Sequence, residues 1–244
     1  MDINNQTICF FWVGNDITIP TLFVKSIRLT MGNDINIVQL TNKATKEVNG
    51  ITSIKRFQLS EKIMIARLEA YSAYENETNY TFFYDADCLL INKLSFPVNI
   101  TQNIVLSPRT QDLKMNYNYP EYYEEFVGKR ANEVMPFLFC AIGTIGKQQL
   151  FFKDLLNICL NLPARFHRWY GDQYSLFLAS KNQFGRFELF DPDIYLHEMK
   201  MPLMPDYLAQ IKKGGVKVLH FKGFHSKIHM EHSLLILEKF QKVF

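Results

Sequence analysis

The sequence contains little cysteine and no cysteine-rich motif. Its 244 residues include only four cysteines, which are Cys9, Cys88, Cys140 and Cys159. They are widely separated and none forms a C-x-x-C pair, which argues against a zinc site or a disulfide framework. Because their neighbours are apolar, they are predicted to be buried thiols of a protein in a reducing compartment.

The sequence also lacks a long hydrophobic run. No uninterrupted apolar stretch approaches the roughly 20 residues that a membrane-spanning helix needs. The apolar segment ICFFWV is too short for the core of a secretion signal, has no basic residues before it, and is closely followed by Asp16. These features predict a cytoplasmic protein.

Neither sign of charge dominates the chain. There are 27 basic and 24 acidic residues, for a net charge of +3, so composition does not favour a nucleic-acid partner. The hydrophobic fraction of 48% is enough for a sizeable core. No repeat, linker or low-complexity tract divides the chain, which predicts a single domain over residues 1–244.

Strands and helices alternate along the sequence. Apolar runs and helical spacing predict strands at 8–13, 35–40 and 51–57, and helices at 20–31 and from Ser60 onwards. Later, VLSPR, MPFLFCAIGTIG and VKVLHF are strand candidates, and GDQYSLFLAS and residues 147–160 are helix candidates, whereas 191–206 is predicted to be irregular. This alternation predicts an α/β fold with a Rossmann-like, mixed but mostly parallel sheet flanked by helices.

Two acidic residues interrupt a segment that otherwise has the character of a buried strand. In YTFFYDADCLLI, Asp85 and Asp87 are two residues apart, so a strand would project both to one face. Burying unpaired carboxylates is costly, and two hard oxygen ligands at a strand end suit Mg²⁺ or Mn²⁺. The alternative is an Asp-led turn in which the second carboxylate is solvated.

A second polar group follows the last predicted strand. In VKVLHFKGFHSK, His220 ends an apolar run and is followed by Gly223 and Lys227. An imidazole can complete a metal site and favours Mn²⁺ over Mg²⁺. Glycine allows close approach of backbone to a phosphate, and lysine supplies positive charge. A structural histidine is the simpler interpretation if His220 is considered alone.

Taken in order, these segments resemble the GT-A glycosyltransferases, in particular the retaining family 8 type that includes glycogenin and bacterial lipopolysaccharide galactosyltransferases. The resemblance is carried by FFWVGND, IARLEAY, FFYDADCLLI, YGDQYSLF and HFKG followed by Lys227. It implies a single GT-A domain and metal-dependent transfer of a sugar from a nucleotide-diphosphate donor, UDP-linked by preference. Retention of configuration and a glycan, lipid-linked or protein acceptor are implied as well.

The resemblance also implies roles for individual residues. Asp85, Asp87 and His220 would hold Mn²⁺ or Mg²⁺, with Asp85 alternatively contacting the ribose. The donor nucleotide and diphosphate would contact Val13, Asn15, Arg67, Asp85, Gly223, Lys222 and Lys227. Asp172 and Gln173 would lie near the reacting sugar carbon, although Asp172 could equally be a helix cap.

The sequence departs from the family pattern near its C-terminus. The family shows H-x-x-G-x-x-K, whereas Ser226 occupies the expected lysine position and Lys227 lies one residue later. Lys222 therefore competes with Lys227 as the diphosphate contact. The resemblance does not identify the donor sugar or the acceptor of this chain.

Two other functions remain open at this stage. A haloacid-dehalogenase-like phosphatase also ends a strand in D-x-D, but places it on the first strand. A catalytically silent sugar-nucleotide-binding protein would keep the fold without turnover. Residues 229–244 form a basic amphipathic pattern that favours core packing or a homodimer interface, with peripheral membrane contact as the alternative.

Overall fold

Two β-sheets organise the chain in the computed structural model, which describes residues 5–76, 78–97, 100–110, 113–118, 120–182, 187–199 and 201–243. The strands are β1 (Gln6–Phe11), β2 (Asn36–Asn42), β3 (Ser53–Phe57), β4 (Tyr80–Tyr84), β5 (Cys88–Leu90), β6 (Ile104–Pro108), β7 (Phe137–Ile145), β8 (Glu188–Leu189), β9 (His197–Glu198) and β10 (Val218–His220). The larger sheet has seven strands in the order β3-β2-β1-β4-β7-β6-β8, and the smaller has the order β5-β10-β9.

The larger sheet is mostly parallel. Only β7 runs antiparallel to its neighbours β4 and β6, and the remaining neighbours are paired in parallel. Every residue of β1 is buried, as expected for a parallel strand with both faces covered. The predicted mixed, mostly parallel sheet flanked by helices is confirmed.

Helices cover both faces of the larger sheet. The α-helices of the described residues are α1 (Thr18–Met31), α2 (Ile63–Ala73), α3 (Ala131–Val134), α4 (Gln149–Leu160), α5 (Gly171–Asn182), α6 (Pro192–Tyr195), α7 (Pro205–Lys213), α8 (Phe224–Lys227) and α9 (Met230–Val243). One apolar core packs α1 against β1 and β4, and a second packs α2, α4 and α5 against the opposite face.

The start of α1 differs from the predicted Thr18 cap and Pro20 start. The Thr18 N–H donates to the Asp16 carboxylate at 2.9 Å, so the helix begins two residues earlier than predicted. The stretch 191–206, predicted to be irregular, contains α6, β9 and the first two residues of α7. Helix α7 was not predicted. Pro205 and Met204 suggest a loop, but Pro at the first helical position is well tolerated, and the helix buries Leu208 and Ile211.

The acidic segment is not one strand, contrary to the sequence prediction. β4 ends at Tyr84 and β5 begins at Cys88, so Asp85 and Asp87 lie in the turn between the two sheets. The Asp85 N–H still donates to the Cys140 carbonyl oxygen of β7 at 3.0 Å. The chain then leaves the larger sheet, and Cys88 pairs with His220 of β10.

The C-terminal helix packs on the rest of the chain. Met230, Leu234 and Leu237 of α9 are buried in a third apolar cluster, together with residues of α7 and of the smaller sheet. Ile236 and Phe240 are partly buried beside them. Among the described residues, no helix is both long and apolar enough to span a bilayer.

Candidate active site

The turn after β4 and the end of β10 bring a carboxylate, an imidazole and an amine together. The Asp87 carbonyl oxygen accepts from the Phe221 N–H at 2.9 Å, which locks the turn to the chain after β10. His220 Nε2 lies 3.5 Å from Asp87 Oδ1, and Lys227 Nζ lies 2.8 Å from Asp87 Oδ2. These three residues are called the Asp87 cluster below.

The Asp87 carboxylate is stabilised in its charged form. Burial alone would raise its pKa, but His220 and the positive charge of Lys227 outweigh that effect and hold the pKa well below its usual range. The side chain of Asp87 is only 13% exposed. The cluster therefore holds a buried carboxylate in its charged form, paired with Lys227 through Oδ2.

The Asp87 cluster fits a divalent cation in part. Asp87 Oδ1 is buried and has no hydrogen-bond partner among the described residues, because 3.5 Å to His220 Nε2 is too long for a well-formed bond. An orphaned oxygen beside an imidazole nitrogen offers two ligands. Among the described residues, no group of three His, Cys, Asp or Glu side chains is close enough to hold a metal, so further ligands would have to come from water and substrate.

Asp85 faces a different partner from Asp87. Its Oδ1 accepts from Arg67 Nη1 at 2.7 Å, and Arg67 Nη2 forms an ion pair with the Asp172 carboxylate. The Arg67 side chain is 12% exposed and that of Asp172 is fully buried. This arrangement, called the Arg67 bridge below, ties α2, the acidic turn and the start of α5 together.

The Arg67 bridge changes the expected positions of two residues. Asp85 contacts Arg67 and is not grouped with Asp87 and His220. Asp172 is directed at Arg67, and its Oδ1 also accepts from the Gln173 N–H at 2.7 Å. The guanidinium of Arg67 additionally lies over the Phe139 ring, 4.9 Å from its centroid, which supports a desolvated cation.

The start of α5 depends on a close backbone approach. A Cβ at Gly171 would overlap the Phe166 carbonyl oxygen and lie 2.8 Å from Cys159 Sγ. Tyr170, just before it, has a φ of 65°, which is unusual for a residue other than glycine. The GDQ segment is a helix start, but Asp172 is the second residue of α5 and not its N-cap, contrary to the capping interpretation. Its carboxylate is directed to the Arg67 bridge.

Gln173 lies beside a cation that the sequence analysis did not single out. Its Oε1 accepts from Arg109 Nη2 at 2.5 Å, while Arg109 Nε donates to the Met135 carbonyl oxygen at 2.9 Å. Arg109 follows β6 directly, and the arginine of VLSPR, at the end of a strand candidate, was the available sequence indication.

A cavity of about 240 Å³ adjoins the Asp87 cluster. It is lined by Pro108, Arg109, Thr110, Leu138, Pro192, Asp193, Leu196, His197, Glu198, His220 and Lys222. His220 is shared by the cavity and the Asp87 cluster, so the two adjoin at this side chain. Glu198 pairs with His220 across β9 and β10, and no sequence motif indicated it.

The predicted base-binding residues lie at the same edge of the sheet. β1 and β4 pair in parallel with Cys9 opposite Phe83, so the chain after β1 emerges beside the acidic turn. Val13 is half-buried and Asn15 is exposed. The Gly14 N–H donates to Thr45 Oγ1 at 3.0 Å, which fixes this loop against the one after β2.

Gly223 forms a tight turn between Lys222 and Lys227. Gly223 has a φ of 81° and open space where a Cβ would be. Lys227 contacts Asp87, whereas Lys222 is exposed in the cavity. The structure thus places the two competing lysines in different neighbourhoods.

Comparisons with known proteins support the fold. No family model matches the chain, and no curated protein does either. A solved structure described as a glycosyltransferase involved in the glycosylation of the major capsid of PBCV-1 is similar, with a TM-score of 0.59. The match covers 94% of this chain and 98% of that one, at 10% sequence identity. This chain shares that protein's fold.

Proposed function

We propose that this protein is a glycosyltransferase that moves a sugar from a nucleotide-diphosphate donor, preferably UDP-linked, to a glycan, lipid-linked or protein acceptor. The observation that carries the proposal is the Asp87 cluster, which joins a carboxylate, an imidazole and an amine at the carboxyl edge of the sheet. Ligands of open α/β sheets bind at that edge. The fold shared with a glycosyltransferase supports the same assignment.

The donor would lie across the edge from the β1 loop to the Asp87 cluster. Val13 and Asn15 would hold the base, and Asp85 would contact the ribose from its position on the Arg67 bridge. The positive-φ turn at Gly223 would let backbone approach a phosphate. Lys227 would supply positive charge to the leaving diphosphate, in addition to its contact with Asp87.

Asp87 Oδ1 and His220 Nε2 would bind the metal ion. Mn²⁺ or Mg²⁺ at this position would act as a Lewis acid on the diphosphate. Because Asp85 is held by Arg67, its role toward the metal ion would be indirect, through water. Arg67 itself is a positioning residue, since it contacts two carboxylates rather than open space.

Retention is proposed to follow a front-face displacement. The bond between the anomeric carbon and the diphosphate oxygen breaks, and the acceptor hydroxyl oxygen bonds to that carbon on the same face. The hydroxyl proton passes to the departing phosphate oxygen. Asp172 is disfavoured as a covalent nucleophile because it is fully buried and paired with Arg67. Gln173, which accepts a hydrogen bond from Arg109, would lie beside the reacting sugar carbon.

The phosphatase alternative fits the site less well. Such enzymes need a free aspartate nucleophile at the end of the first strand, whereas Asp85 follows β4 and is engaged by Arg67. A silent binder would share the donor site but not the chemistry. Activity, rather than binding, separates it from a transferase.

The decisive experiment measures thermal stabilisation by UDP with and without Mn²⁺, followed by hydrolysis of UDP-sugars. We expect metal-dependent stabilisation and slow donor hydrolysis. Asp87→Asn should abolish both, because it removes the charge of the ligand oxygen. The matched control is Asp154→Asn, at an exposed position of α4, which should change neither.

Three outcomes would contradict the proposal. Asp87→Asn with full metal-dependent stabilisation would mean that the site is misassigned. Release of phosphate from simple monoesters would favour the phosphatase. UDP stabilisation with no turnover of any nucleotide sugar would favour the silent binder.

A further inference from the structure

The cavity beside the Asp87 cluster contains two cations whose charges have no ion-pair partner among the described residues. Arg109 comes from the end of β6, and Lys222 follows β10. The hydrogen bonds of Arg109 go to two neutral oxygens, those of Gln173 and Met135. These bonds fix the guanidinium plane without neutralising it, and its Nη1 has no hydrogen bond within the described part of the chain.

The two cations are close enough to affect each other. Both side chains line the same cavity of about 240 Å³. Burial lowers the pKa of Arg109, and the negative charge of Glu198 only partly opposes that effect. Two like charges at the wall of a small cavity are unfavourable unless an anion lies between them.

Two carboxylates also line the cavity and give it negative as well as positive charge. Asp193 lies on α6 and Glu198 on β9. Neither forms an ion pair with Arg109 or Lys222 in the described structure. The charge of Glu198 acts on both cations, but without an ion-pair contact it leaves their hydrogen-bond donors open to a ligand. The two carboxylates could accept hydrogen bonds from sugar hydroxyls.

We propose that this cavity binds an anionic group, a carboxylate or a phosphate, on the sugar acceptor. The inference rests on the proposed function, in which Gln173, the hydrogen-bond partner of Arg109, would lie near the reacting sugar carbon. The donor diphosphate is assigned to the Asp87 cluster, so a second anion beside Arg109 belongs to the other substrate. About 240 Å³ is smaller than typical sites for drug-sized ligands and suits a single sugar-sized group.

The test uses the full chain with UDP and Mg²⁺, and three probes: glucuronate, glucose 6-phosphate and glucose. Ligand-observed NMR measures the dissociation constant of each. We expect one or both acidic probes to bind more tightly than glucose, and the stronger of the two identifies the group as carboxylate or phosphate. Lys222→Gln should weaken the acidic probe roughly tenfold or more, as for the loss of a charge-assisted hydrogen bond, and leave glucose unchanged.

A variant of opposite sign guards against a general folding defect. Glu198→Gln removes a negative charge from the same cavity and should tighten binding of the acidic probe. Arg109→Lys, which keeps the charge, should retain part of the preference that Arg109→Gln loses. Lys153→Gln, at an exposed position of α4, is the charge-matched control and should have no effect.

Equal binding of glucose and both acidic probes would overturn the proposal. The proposal would also be overturned if Glu198→Gln and Lys222→Gln both weakened binding of the acidic probe. Thermal stabilisation by UDP with Mn²⁺, measured separately on the same variants, keeps the two proposals apart. If UDP fails to stabilise the wild-type chain while the acidic probes still bind, the proposed function fails and the anion site stands.

Discussion

At the scale of single residues, the Arg67 bridge is the charged contact whose loss should destabilise the protein most. One guanidinium satisfies Asp85 and the fully buried Asp172. Removing one partner of a buried ion pair typically costs about 3–5 kcal/mol, since the remaining charge is left unpaired. The bridge is therefore as much a folding requirement as a feature of the donor site.

Arg67→Met should lower the free energy of unfolding, measured by urea titration, by about 3–5 kcal/mol. Adding Asp172→Asn to this variant should recover part of the loss, because the stranded carboxylate is removed. Arg168→Met is the control, since Arg168 is exposed and only loosely paired with Glu121 at 3.5 Å. Strictly additive losses in the double variant would show that Arg67 and Asp172 are not coupled.

The four cysteines give a prediction about reactivity. All are buried, and none is in a disulfide. Burial raises the pKa of Cys159 to about 11 and those of Cys88 and Cys140 well above the usual value. Because only the thiolate reacts, a pKa near 11 leaves about one Cys159 thiol in a thousand ionised at pH 8.

An aromatic disulfide reagent at pH 8 should thus label almost no thiol in the native protein. In denaturant, all four cysteines should react, because unfolding exposes each thiol, and the pKa values of Cys88, Cys140 and Cys159 return to about 8.5. The labelling stoichiometry before and after unfolding measures this directly. Fast labelling of a native thiol would mean that one of these positions opens to solvent.

At the scale of elements, the start of α5 positions the chemistry through a glycine. Gly171→Ala should destabilise the protein by about 2 kcal/mol or more, because the added Cβ meets backbone at Phe166 and the Cys159 sulfur. Gly214→Ala is the matched control, as its Cβ would meet only ordinary contacts of 3.4 and 3.6 Å. Equal melting temperatures for the two variants would refute the close approach.

The elements also show what the sequence could and could not specify. Apolar periodicity predicted β1, α1, α2, β7 and α9 close to their observed bounds, because these segments bury one continuous face or both. It failed at the acidic turn, because hydrophobic residues on both sides of Asp85 and Asp87 belong to two different sheets. Nothing local in the sequence marks where a chain changes its pairing partner.

The candidate site shows the same division. The motifs at 85–87 and 220–227 predicted that Asp87 and His220 lie together, and Oδ1 of Asp87 is 3.5 Å from Nε2 of His220. The pairing of Asp85 with Arg67 and the contact of Gln173 with Arg109 depend on side-chain directions. Those directions are set by packing between distant segments, which spacing along the chain does not encode.

At the scale of the whole molecule, α9 closes the third apolar cluster over the smaller sheet that holds His220. Leu237 is fully buried there, whereas Leu235 on the same helix is 49% exposed. A helix that used its apolar face for a bilayer would need that face free, yet Met230, Leu234 and Leu237 are already covered. Membrane contact therefore remains a proposal restricted to the outer side of α9.

Leu237→Ala should cost about 2–5 kcal/mol of unfolding free energy, as for other buried leucines, and Leu235→Ala close to nothing. Because β10 lies in the same cluster, Leu237→Ala should also weaken metal-dependent UDP stabilisation, through loss of order around His220.

Sedimentation with anionic vesicles separates the two roles of α9. If Leu235→Ala abolished vesicle binding while leaving stability intact, the outer side would be a membrane surface. If Leu237→Ala left stability unchanged, the packing of α9 on the smaller sheet would not hold.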